Sequence, residues 1–72
     1  MTAGDAIINI LRDKKCYATL ETSRNGTTVI QTMGWSNVLN EIGLSTNNGN
    51  ITRLPITSEI FTRVGWTLGT FI

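Results

Sequence analysis

The sequence predicts a small two-layer α+β domain, in the order α-β-β-α-β-β, with helices packed on one face of an antiparallel sheet. Three observations carry that expectation. Two β-rich runs flank Asn25-Gly26 within Cys16–Trp35, a capped amphipathic stretch precedes them, and alternating apolar residues return after Thr62. Helices segregated to one face of an antiparallel sheet are one of the few ways such elements bury a common core. All 72 residues, 1–72, are read as a single domain.

The first helix is predicted from Thr2-Ala3-Gly4-Asp5. Thr2 can accept from the Asp5 amide, and Asp5 is favourable at the positive helix end. Ala3, Ile7, Ile10 and Leu11 recur at helical spacing with Ala6 widening the stripe, while Asn9, Arg12 and Asp13 fall on the other side. This stripe is expected to cover the hairpin that follows.

Asn-Gly between β-rich runs signals a type I′ hairpin, because both central residues need φ > 0. Centring the turn there sets Thr22 opposite Val29, Leu20 opposite Gln31, Ala18 opposite Met33 and Cys16 opposite Trp35. Directly opposed residues share a face, and this one is mostly apolar. Tyr17, Thr19, Glu21, Ile30 and Thr32 then lie on the other face, so turn chemistry and burial predict the same register.

After the hairpin, Gly34 is read as ending the strand and Ser36 as capping a short helix over 37–42. Gly43 would supply its left-handed stop with Leu44 as the following contact, and Val38, Leu39 and Ile42 its inward side. Residues 45–50 read as a loop with a second Asn-Gly turn at Asn48-Gly49. Ile51–Ile56 reads as a short strand that Pro55 pushes toward an edge. The last strand is expected from about Thr62, with a helical turn starting near Ser58 as the alternative. Trp35 is expected in the core by register and Trp66 by alternation.

Composition narrows function mainly by exclusion. The chain has no histidine and one cysteine, which removes His-dependent triads and any zinc site of nitrogen and sulfur ligands. Asp5 is explained by capping, Asp13 by an exposed helix face, Glu21 by the solvent face of the hairpin and Glu41 by the helix before Gly43. No phosphate-binding glycine pattern occurs. The expectation is therefore a chain that is not an enzyme and that uses no cofactor or metal. Cys16 is expected to be a small hydrophobe on the apolar hairpin face. No signal-peptide pattern or membrane-length apolar run is visible, so the cytoplasm is the expected compartment.

Charged residues make up 15% of the chain, against about 25% in an ordinary soluble domain. Polar surface must instead come from Thr, Asn and Ser, whose desolvation on docking costs less than that of Lys or Glu. Such a composition is that expected of a small viral or mobile-element accessory protein. The function expected is a protein-interaction module that self-associates or docks on a larger protein, with no membrane. Tyr17, Thr19, Ile30 and Thr32 on the solvent face, together with Phe71 and Ile72, are its expected interface. A nucleic-acid-binding regulator acting as a dimer is the alternative. Its contacts would be Arg12, Lys14, Lys15 and Arg24, brought together by the dimer, and the segment Trp35–Leu44 with the loop and strand after it resembles the second helix and wing of a winged helix. Base readout would then fall to Asn37 and Asn40. Against it, Lys15 and Arg24 stand at opposite ends of one strand, roughly 30 Å apart at about 3.3 Å per residue.

Overall fold

A computed structural model of the chain describes residues 1–47, 49–55 and 62–71, with the side chain of Arg24 also outside the description. Helix α1 (Ala3–Arg12) is followed by strands β1 (Cys16–Arg24), β2 (Thr27–Ser36), β3 (Glu41–Thr46), β4 (Thr52–Arg53) and β5 (Thr67–Thr70). The strands form one antiparallel sheet in the order β4-β3-β2-β1-β5. Strands β1 to β4 form a meander, and β5 returns to the other side of β1. The two-layer α+β class is as expected. The order α-β-β-α-β-β is not, since the described residues hold one complete helix and five strands.

Helix α1 starts where the capping pattern puts it: Thr2 Oγ1 accepts from the Asp5 amide at 3.2 Å. Its far end is tied down by Asp13, whose carboxylate accepts from the Lys15 amide at 3.0 Å and so turns the chain into β1. Ala3, Ala6 and Ile10 are wholly buried against β1 and β2. Leu11, expected in that stripe, is 54% exposed; it sits at the helix edge facing β3 and β4, which α1 does not reach.

The hairpin register is the predicted one. Ala18 pairs with Met33, Leu20 with Gln31 and Thr22 with Val29. Asn25 (φ 53°) and Gly26 (φ 78°) are both left-handed, as a type I′ turn requires. Ala18 and Met33 are fully buried, and Leu20, Ile42, Leu44, Leu54 and Trp66 complete the core beneath the helix. Trp35 is only half-buried, packed at the margin of this core with the Lys14 ammonium 4.3 Å from its ring centroid. Cys16 is half-buried at the same layer. Segment 63–66 covers the end of the inner face that α1 leaves open. The Ala3 amide donates to the Arg63 carbonyl at 3.0 Å, and the Trp66 amide donates to the Met1 carbonyl at 3.2 Å.

The expected helix over 37–42 is absent. Ser36 Oγ does accept from the Leu39 amide at 3.1 Å, as a cap would, but Asn40 (φ 56°) reverses the chain and Glu41 opens β3. Six residues cannot sustain a helix on their own, whereas β3 gains a ladder with β2 from Ser36↔Glu41 to Gln31↔Thr46. Val38 is 95% exposed and Leu39 also lies outside, so of the supposed inward residues only Ile42 is buried. Glu41 therefore belongs to a strand, where it pairs with Arg53. Gly34 does not end β2, which runs to Ser36. Nor is Gly43 a helix stop. It lies inside β3 opposite Gly34, and a Cβ there would stand 2.5 Å from Ile51 Cγ2.

The strand expected over 51–56 is present at the sheet edge but only as Thr52–Arg53; Pro55 lies beyond it, and Ile56 lies outside the described residues. The final strand starts later than Thr62. Thr62 itself is helical, Arg63–Trp66 is irregular, and regular pairing begins at Thr67. The expected turn pair at Asn48 and the helical start near Ser58 lie outside the described residues.

Candidate functional site

The sheet has one face beneath α1 and a second, which the described residues leave open except at β3, where Ile51 packs over Gly43 and the Ser45 hydroxyl donates to the Gly49 carbonyl at 3.0 Å. Residues directly opposed across antiparallel strands point to the same side, so the registers sort the open face into rows. One row runs Gly69, Tyr17, Gly34, Gly43 and Arg53 across all five strands. The next runs Thr67, Thr19, Thr32 and Ser45 across β5, β1, β2 and β3. At strand spacings of about 4.8 Å these four hydroxyl-bearing residues span roughly 14 Å. A third row holds Glu21 and Ile30, where Asn47 clamps the end of β3. The Ile30 amide donates to Asn47 Oδ1 at 2.9 Å, and the Asn47 amide donates to the Ile30 carbonyl at 2.7 Å.

Glycine in the first row makes room for an aromatic pair. A Cβ on Gly69 would intrude on the Tyr17 ring, so the tyrosine lies across β5. There its ring meets Phe71, centroid to centroid 4.7 Å at an interplanar angle of 38°. Phe71 remains 58% exposed and Ile30 42% exposed. The open face thus carries rings at one corner, hydroxyls across its middle and an isoleucine at the far side. Among the described residues its charges are Glu21 within the field, Lys15 at the corner opposite Phe71, and Arg53 at the β4 margin, where Glu41 neutralises the guanidinium.

Of the residues expected to form an interface, Tyr17, Thr19, Ile30, Thr32 and Phe71 are all brought onto this face, and Ile72 lies outside the described residues. Thr67, Ser45 and the glycine row were not foreseen. Their signal was present only as spacing within β3 and β5, and it becomes readable once the pairing partners of those strands are known.

The basic residues of the alternative do not converge. Arg12 is exposed in the last turn of α1, Lys14 reaches over Trp35, Lys15 precedes β1, and Arg24 ends β1 at the opposite end of the sheet. Loss of the expected helix also takes away the element on which Asn37 and Asn40 would have read bases. Both instead lie in the tight turn between β2 and β3.

On the helix side, an open groove of about 600 Å³ runs between α1 and β3–β4. Its floor and walls are Ile7, Leu11, Trp35, Ile42, Leu54 and Pro55, with the Glu41–Arg53 pair at its rim. Nothing in the spacing of residues along the chain marks this groove, which exists because α1 stops short of β3. Among the described residues no group of three or more His, Cys, Asp or Glu is gathered to hold a metal ion, and no helix is long and apolar enough to cross a membrane. No protein-family model, curated protein or solved structure matches the chain.

Proposed function

We propose that this chain is a non-enzymatic interaction module that associates with its own copies through the open face of its sheet. The observation that carries the reading is the composition of that face. Across four strands it presents Thr67, Thr19, Thr32 and Ser45, flanked by Tyr17, Phe71 and Ile30, and among the described residues the charges beside them are Glu21 within the field and Lys15 at its margin opposite Phe71. Hydroxyls and rings give up water at less cost than ammonium or carboxylate groups do. Antiparallel sheets also pack face to face at about 10 Å when their inner surfaces interdigitate. Small chains bury a low fraction of their surface and gain most from a second layer. An ordinary solvated face would instead be studded with Lys and Glu.

The test is sedimentation velocity across a concentration series, comparing the native chain with Thr32→Lys. Thr32 is central to the hydroxyl row and outside the core, so the substitution leaves the circular dichroism spectrum intact. The native chain should sediment as an oligomer at micromolar concentration, and Thr32→Lys should lower the mass of the species. A chain that is monomeric at every concentration, or an assembly indifferent to Thr32→Lys, overturns the reading.

A further inference from the structure

The two edges of the sheet differ in a way that selects a partner for one of them. In an antiparallel ladder, alternate residues turn their N–H and C=O groups toward the neighbouring strand and away from it. At β4 the Leu54 amide donates to the Ile42 carbonyl at 3.4 Å, so the outward-turned positions are Arg53 and Pro55. Pro55 has no N–H, Arg53 is charged with its side chain 80% exposed, and the strand is two residues long. Each of these is a device that blunts an edge.

At β5 the Phe71 amide donates to the Lys15 carbonyl at 2.8 Å. That bond fixes the phase of the ladder: Thr67, Gly69 and Phe71 turn toward β1, while Leu68 and Thr70 turn their amides and carbonyls away from it. No strand lies beyond β5 among the described residues. The segment Thr67–Phe71 contains no charge, no proline and no bulge. It is an open template, unlike β4.

We infer that β5 pairs antiparallel with β5 of a second copy about a twofold axis through Gly69, joining the two sheets into one of ten strands. This rests on the self-association reading and adds a contact distinct from the open face. The register is dictated by the free groups: Leu68 of each copy meets Thr70 of the other, and the two pairs use all four outward amides and carbonyls. On the open face the same register sets Gly69 against Gly69, with Phe71 of each copy beside Thr67 of the other. The exposed Phe71 ring is thereby covered and the side-chain-free centre lets the two edges close up. Identical residues meet near a twofold axis, so an edge bearing charge would repel itself, and this one bears none. An isologous contact consumes the edge on both sides, so growth stops at the pair. Face packing then stacks two such pairs.

The test is Thr70→Pro with hydrogen exchange on the native chain. The Thr70 amide points away from β1, so proline deletes a donor of the junction and none of the fold. By symmetry two of the four hydrogen bonds are lost, and dissociation at the edge should rise at least about tenfold. Thr70→Pro should leave a face-joined dimer, Thr32→Lys an edge-joined dimer, and the double variant a monomer. In native chain and Thr32→Lys alike, the Leu68 and Thr70 amides should become protected as concentration rises. Exchange at Leu68 and Thr70 that stays fast at all concentrations, with the assembly unaffected by Thr70→Pro, overturns the edge pairing and leaves the open-face reading standing. A native chain that is monomeric throughout overturns both. Should Thr70→Pro fail to fold, the exchange measurement on the native chain decides alone.

Discussion

The two faces of the sheet are built from the same strands, yet they obey different rules. On the inner face Ala18, Leu20 and Met33 of β1 and β2 lie under α1 and segment 63–66, Ile42 and Leu44 of β3 extend the same core, and all are buried almost completely. On the outer face the alternate residues of the same strands are Tyr17, Thr19, Thr32, Gly34, Gly43 and Ser45; Ile51 packs over Gly43, and no second layer lies over Thr19 and Thr32 among the described residues. The inner face therefore determines whether the chain folds. The outer face is free to be shaped by what it touches. Substitutions one residue apart in sequence should consequently differ in kind, one lowering stability and the other altering assembly.

Met33→Ala should have the largest effect. Met33 is fully buried at the centre of β2, opposite both Ala18 and Leu44. Truncation leaves a cavity and should cost about 2–5 kcal/mol, enough to unfold much of a marginally stable small domain. Chemical denaturation monitored by circular dichroism measures it. The neighbouring Thr32→Lys should shift the same midpoint little, and an equal loss at both positions would erase the distinction between the faces.

The turn that assigns residues to faces comes next. Gly26→Val asks a β-branched residue to hold φ 78°, and the loss should exceed the roughly 1 kcal/mol of ordinary glycine effects. A Cβ at Gly26 has open space around it, so the penalty is one of backbone conformation and not of contact. An unchanged melting temperature would mean that the turn does not set the register.

Gly69→Ala tests the outer face itself at about 1 kcal/mol, the low end of overpacking costs. The added methyl would displace the far end of the Tyr17 ring, a side chain that can swing aside. Its signature is loss of the Tyr17–Phe71 contact, measurable as a change in near-ultraviolet circular dichroism with the far-ultraviolet spectrum preserved. Retention of the aromatic signal would show that the glycine is not what accommodates the ring.

What could be read from the sequence follows the same division. The helix cap at Thr2, the Asn25-Gly26 turn, the hairpin register and the edge position of the short strand before Pro55 all depend on local backbone chemistry or on symmetric pairing about a turn. Each was legible. The β2–β3 connection was not, because Ser36, Asn37 and the apolar residues after them satisfy a helix start and a tight turn equally well. The choice fell to the long-range ladder with β2, since pairing Trp35 with Ile42 and Met33 with Leu44 buries more than a six-residue helix would. For the same reason Gly43 was misread: its glycine is required by Ile51 packing over it, a contact invisible until β4 is placed. That Tyr17, Thr19, Ile30 and Thr32 share one face could be read from the hairpin alternation, whereas the row completing them through Thr67 and Ser45 depends on β5 and β3 finding their partners. The groove beside Leu11 had no local signal at all.

The smallest expected effect separates the two glycines that flank Tyr17. Gly34 and Gly69 both oppose it, one on β2 and one on β5. The ring leans over Gly69 alone, and a Cβ on Gly34 would stand 3.6 Å from Tyr17 Cβ, an ordinary van der Waals contact. Gly34 has no left-handed φ to protect, and glycine inside a strand costs roughly 0.5–1 kcal/mol relative to alanine. Gly34→Ala should therefore be neutral or stabilising by a few tenths of a kcal/mol, and at most about 1 kcal/mol, with the Tyr17–Phe71 signal retained. Because Gly34 lies one step along β2 from the hydroxyl row, the added methyl should also leave the edge junction at β5 untouched and change only packing across the open face. A destabilisation as large as that of Gly69→Ala would mean that Tyr17 is held from the β2 side, and the tilt that brings its ring to Phe71 would need a different cause.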